Sequence, residues 1–268
     1  MEENSNFILI PWDFTKVSEN ALLHGIKIAK MTEDTIIIQH VVEKKLSPEK
    51  EKEVLKKLDN VKEKFENLFG VKIQVLISKG NIFSAISNFA NKNLASMVIM
   101  GTHGVKGMQK ITGSWALKVI SGSKVPFMVV QDKPGDWDKY NNIVFLVDFR
   151  EENKDKLRWA IFMGKYFDSK VYILKSKEID PKLVKKTNTY LNFAVKFLIQ
   201  NRLDYEICEL PLSSNLAKDT LDFAQDLNAD LILITTTKNI TPAKFLLGVQ
   251  EQYIIANSSR IPVMCLNP

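Results

Sequence analysis

The sequence predicts an α/β protein built twice over, as two tandem doubly wound domains, each a five-stranded parallel sheet covered by helices. Three observations carry this. Short apolar runs alternate with longer segments of helical period, the pattern of successive β-α-β units. The strand runs are apolar at nearly every residue, as strands buried on both faces require. The pattern then restarts: Asp148-Phe149 echoes Asp13-Phe14 at a distance of 135 residues, and Leu231 echoes Met97 at 134. So small a drift over a whole domain marks an internal duplication.

The elements follow in order. Phe7–Pro11 is an apolar strand that ends at Trp12-Asp13-Phe14-Thr15. Thr15 is a good N-cap for a helix from Lys16 to about Met31, where Val17, Ala21, Leu22, Ile26 and Ala29 recur at helical spacing. Thr35–Val42 is a β-branched run, hence a buried strand. Ser47-Pro48 opens a long charged helix to about Phe69, with proline at its first position. Residues 71–78 form the third strand. Gly80-Asn81 turns into a helix ending near Lys92, and residues 95–100 form the fourth strand. A glycine loop leads to a helix over residues 113–121, and residues 125–131 are the fifth strand.

Residues 131–142 are polar, carry Pro134-Gly135, and read as a linker. The domains are therefore placed at 1–133 and 141–268. In the second, strands are expected over 143–147, 170–174, 205–210 and 231–234, and at Ile261-Pro262-Val263, the echo of Val125-Pro126-Phe127. Helices are expected over 154–166, 181–201, 214–227 and 242–257.

Composition narrows the functional classes. The chain has 268 residues, 45% hydrophobic and 25% charged, ordinary values for globular domains. No apolar run approaches the ~20 residues of a membrane span. Glu2 and Glu3 lead straight into the first strand, so no signal peptide is expected. Cys208 and Cys265 sit in strand-like runs and are expected to be reduced core residues, from which the protein is read as cytoplasmic. The three histidines are scattered, without metal spacing. The net charge of +6 comes from lysines spread along amphipathic helices, not from one tract, so nucleic acid is not expected as a partner.

The stretch Met97 to Ser114, MVIMGTHGVKGMQKITGS, carries the chemistry. A strand leads into Gly101 and Gly104, then a basic loop, then Gly113-Ser114 and a helical pattern opening at Trp115. Glycine lets a ligand approach the backbone closely, and the first N–H groups of a helix suit a phosphate. Asp13 follows the first strand, where it is either a ligand contact or a carboxylate favourable to a helix N-terminus. No G-x4-G-K-[ST] phosphate loop and no G-x-S-x-G elbow occurs. The glycines follow the fourth strand, not the first, unlike a dinucleotide fingerprint.

These residues resemble the nucleotide motif of the universal stress protein family, G-x2-G-x9-G-[ST]. Gly101-x2-Gly104 and Gly113-Ser114 match, but eight residues separate Gly104 from Gly113. The resemblance covers nearly the whole chain and implies strand order 3-2-1-4-5, with Asp13 and the glycine loop converging at the switch point. It further implies that ATP or AMP, with or without magnesium, binds between Pro11, Asp13 and Val41 at the base and Gly101, Gly104, Gly113, Ser114 and Trp115 at the ribose and phosphates. In the second half, Thr235 and Lys238 replace the first two glycines and Gly248 is followed by Val249. That half is expected to be a structural pseudo-copy. The expected function is a stress-response or signalling module that binds an adenine nucleotide and is not an enzyme. The alternatives are an interaction protein with both sites vestigial and a slow ATPase on the same crevice. Edge strands 125–131 and 261–266 are expected to pair within the chain as a pseudo-dimer, which could form homodimers.

Overall fold

The computed structural model describes residues 6–102, 119–120, 123–135, 139–147, 153–212, 215–235, 249–256 and 259–266. The chain divides into two compact units, Met1–Pro134 and Gly135–Pro268.

The first unit runs β1 (Phe7–Pro11), α1 (Lys16–Thr32), β2 (Thr35–Val42), α2 (Pro48–Phe69), β3 (Ile73–Lys79), α3 (Ile82–Lys92), β4 (Met97–Gly101) and β5 (Phe127–Val130). Its strands lie in the order β3-β2-β1-β4-β5, all parallel. Pro11 is in register with Gln39, and Gly101 with Val130. β1 is covered on both faces. Its Phe7 ring meets Phe89 of α3 at 5.9 Å, while the alternate residues Ile8 and Ile10 lie against Gly25 of α1. Residues one apart on a strand point to opposite faces, so a continuous apolar run is what a central strand needs.

Local chemistry sets the helix ends. Thr15 Oγ1 accepts from Ser18 N to start α1, and Ser47 Oγ accepts from Lys50 N to start α2. Asn81 Oδ1 accepts from Phe83 N and Ser84 N to start α3. α2 stops at Gly70, whose φ of 67° is the left-handed cap glycine adopts readily. α1 is buried along most of its length, whereas α2 buries only Leu58 and Phe65 and keeps its lysines and glutamates in solvent. α1 also fastens the end of β5: Asn20 Nδ2 donates to the Gln131 carbonyl at 2.9 Å and His24 Nε2 to the Asp132 carbonyl at 3.1 Å.

The second unit runs β6 (Asn142–Val147), α4 (Asn153–Phe167), β7 (Lys170–Lys175), α5 (Pro181–Gln200), β8 (Tyr205–Glu209), α6 (Leu216–Asp226), β9 (Leu231–Thr235), α7 (Val249–Ile255) and β10 (Val263–Leu266). Its strands lie in the order β8-β7-β6-β9-β10, again all parallel. Both units therefore have the expected order, third-second-first-fourth-fifth. Cys265 is buried in β10 as expected, but Cys208 is not a core residue. It is half-buried on β8, a strand that ends the sheet and exposes Glu206, Ile207 and Glu209. A run's composition does not reveal whether it lies at the centre or the edge of a sheet. No helix among the described residues is long and apolar enough to cross a membrane.

Candidate functional site

In a sheet of this order the chain leaves β1 toward β2 on one side and enters β4 on the other. The loops beyond the carboxyl ends of β1 and β4 separate there, and the gap between them is where ligands bind such sheets. The first unit has a cleft of ≈ 90 Å³ at this point. Its walls are Pro11 at the end of β1, Trp12 and Asp13 after it, Ser18 of α1, Gln39, His40 and Val41 of β2, Ile82 and Ile86 of α3, and Met100 and Gly101 of β4. Four residues expected at the site, Pro11, Asp13, Val41 and Gly101, thus come together. The other four, Gly104, Gly113, Ser114 and Trp115, lie outside the described residues.

The turn after β1 is held from several sides. Trp12 N donates to the Gln39 carbonyl at 2.8 Å, and His40 Nδ1 donates to the Trp12 carbonyl at 2.7 Å. Asp13 Oδ1 accepts from Thr15 N and Thr15 Oγ1, which places an exposed carboxylate at the start of α1. Phe14 has φ 63°, a region that bulky side chains rarely adopt. Its ring lies 5.0 Å from His40 and 6.2 Å from Trp12, so an exposed aromatic face stands beside the cleft.

Gly101 is glycine for a reason the sequence did not reveal. A Cβ there would lie 2.1 Å from the Val17 carbonyl oxygen and 2.4 Å from its carbonyl carbon. The end of β4 and the first turn of α1 touch backbone to backbone, which keeps the cleft's two principal walls close. Trp12, Gln39, Ile82, Ile86 and Met100 were not singled out from the sequence. Gln39 carried a signal nonetheless, as an amide set within the β-branched run TIIIQHVV.

Polar atoms are buried here as well. Trp12 Nε1, Gln39 Oε1 and Thr102 Oγ1 are enclosed, with no hydrogen-bond partner among the described residues. Most buried polar groups in folded proteins are paired, and two of these three residues line the cleft.

The equivalent place in the second unit is nearly filled. Leu146, Leu216, Ile234 and Thr235 stand where Pro11, Ile82, Met100 and Gly101 stand in the first, and the cavity among them measures ≈ 20 Å³. That is room for about one water. Thr235 adds a side chain where the first unit has none. Lys156 of α4, in the place of the buried Ala21, runs into the gap, and its Nζ donates to the Leu146 carbonyl at 2.8 Å beside the Phe145 ring. Glu251 lines the same cavity. Burial, and then the Glu251 charge, push the Cys265 thiol well above its ordinary pKa. Asp148, Lys238 and Gly248 lie outside the described residues.

The geometry defines a class: doubly wound α/β units with a ligand cleft at the switch point of the first. The sequence matches the universal stress protein family model over residues 6–131. A universal stress protein of Methanocaldococcus jannaschii is 32% identical over 141 residues, covering 46% of this chain and 81% of that protein. A second from the same organism is 26% identical over 154 residues, covering 47% of this chain and 94% of that protein. Among solved structures, a universal stress protein from Archaeoglobus fulgidus superposes with a TM-score of 0.76 at 19% identity, over 98% of this chain and 96% of that one. The chain belongs to the universal stress protein family.

Proposed function

We propose that the first unit binds an adenine nucleotide, ATP or AMP, in the cleft between β1 and β4, and that the protein acts as a stress-response or signalling module. The observation that carries this is the meeting of Pro11, Asp13, Val41 and Gly101 around one cleft at the switch point. These are the residues that the family resemblance assigns to nucleotide. The exposed Phe14 face beside the cleft offers a stacking surface for a base. In the second unit, Thr235 and Lys156 occupy the corresponding space, which favours one nucleotide per chain. The role is binding rather than catalysis.

Mass spectrometry of the protein purified under native conditions tests this directly, together with calorimetry using ATP, ADP and AMP. The expected result is a carried or added adenine nucleotide at about one per chain. Absence of binding at millimolar concentration would replace this reading with that of an interaction protein, which the short Gly104–Gly113 spacing favours. Sustained ATP hydrolysis abolished by Asp13→Ala would make the site an enzyme's.

A further inference from the structure

Gln39 is wholly buried near the carboxyl end of β2, two residues before Val41. Residues two apart on a strand share a face, and both line the cleft. Both hydrogens of the Gln39 amide are committed. Nε2 donates to Ser78 Oγ at 2.8 Å and to the Ala85 carbonyl at 3.3 Å. A backbone carbonyl can only accept, so this contact fixes which end of the amide is nitrogen. Oε1 is therefore held as an acceptor, and no donor among the described residues reaches it. A buried acceptor left unpaired disfavours its state by about ten-fold or more. Leucine would fill the position without that cost. An amide makes sense here if something entering the cleft supplies a donor.

We propose that Gln39 is a specificity-determining residue: its side-chain oxygen accepts a hydrogen bond from an N–H of the bound base and selects a 6-aminopurine over a 6-oxopurine. This rests on the adenine-nucleotide reading above. Adenine carries an amine donor at its 6-position, where guanine and hypoxanthine carry a carbonyl acceptor. A carbonyl set against Gln39 Oε1 would face another acceptor. The amide cannot turn its nitrogen toward that carbonyl without setting its oxygen against the Ala85 carbonyl, which can only accept. That contact holds the reading group in one orientation.

The test compares AMP with IMP, which differ at the 6-position and at the neighbouring N1, an acceptor in adenine and an N–H in hypoxanthine, by calorimetry on the full-length protein and its Gln39→Leu variant. The ratio of the two affinities is read within each protein, so a general loss of folding or binding cancels. The wild type should bind AMP about ten-fold or more tightly than IMP. In Gln39→Leu the ratio should fall within about three-fold, chiefly through weaker AMP binding. If that variant does not fold, Gln39→Met, unbranched and of equal length, takes its place. A variant that keeps the wild-type ratio, whatever its stability, overturns the assignment and leaves Gln39 a structural or water-binding residue. AMP binding by the wild type with no preference over IMP also overturns it, while the nucleotide cleft stands. Failure of the wild type to bind either nucleotide removes the functional reading itself, and this inference with it.

Discussion

Val17 leaves no room for a side chain at Gly101. The contact is with backbone, not with the end of a flexible side chain, so a neighbour cannot swing aside. Gly101→Ala should therefore cost about 1–3 kcal/mol, the usual range for overpacking. Denaturant unfolding should show it as a lower midpoint with an unchanged slope. His24 gives a second prediction at this scale. Burial lowers its pKa from the ordinary 6.5 to about 3, partly offset by its hydrogen bond to the Asp132 carbonyl. The neutral form is the one the fold accepts. The unfolded chain takes up a proton below about 6.5 while the folded protein does not until about 3. The folded pKa is the depressed one, so this contribution is fully present above pH 6.5 and is lost as pH falls toward 3, by about 1.4 kcal/mol per pH unit. Comparing wild type with His24→Gln from pH 7 to pH 4 isolates it from the carboxylates. The difference in stability between the two should shrink or reverse as the solution is acidified.

Two helices contribute to the cleft walls, and each depends on a cap. Thr15 starts α1 two residues after Asp13, and Asn81 starts α3 directly before Ile82. Asn81→Ala removes the acceptor for Phe83 N and Ser84 N, and should cost about 1 kcal/mol. Ile82 and Ile86 stand on that helix and line the cleft, so the same change should weaken AMP binding, measured by calorimetry, by more than an equally destabilising cap change at Ser47 of α2. α2 shows the opposite design. Its exposed lysines and glutamates pair on the surface, as in Lys57–Glu53, where screening leaves such pairs little weight.

The two units share a strand order and differ in what occupies their switch points. The first keeps a cleft of ≈ 90 Å³ and the second a cavity of ≈ 20 Å³. Lys156 matters as much as Thr235, because its ammonium is bonded to the Leu146 carbonyl within that space. Full-length protein should accordingly bind one nucleotide, and Asp13→Ala should remove or weaken all of the binding. Thr235→Gly should not create a second site while Lys156 stays in place. A calorimetric stoichiometry near two, or binding unaffected by Asp13→Ala, would overturn the division of roles.

The two-unit organisation, the alternation of strands and helices and the position of nearly every described element are legible in the residues alone. Those properties rest on local chemistry: apolar periodicity, a capping Thr15, Ser47 or Asn81, and a proline at the start of α2. The meeting of Pro11, Asp13, Val41 and Gly101 was also expected, because strand order brings the ends of β1, β2 and β4 together. What depends on close approach between distant segments was set by packing in three dimensions. It made Gly101 a backbone contact with Val17, put Cys208 on an edge strand instead of in the core, buried Gln39 with its oxygen unpaired among the described residues, and sent Lys156 into the second unit's gap. Periodicity says which face of an element turns inward. It does not say how near the next backbone will come, and that distance decides whether a position admits a side chain, a ligand or nothing.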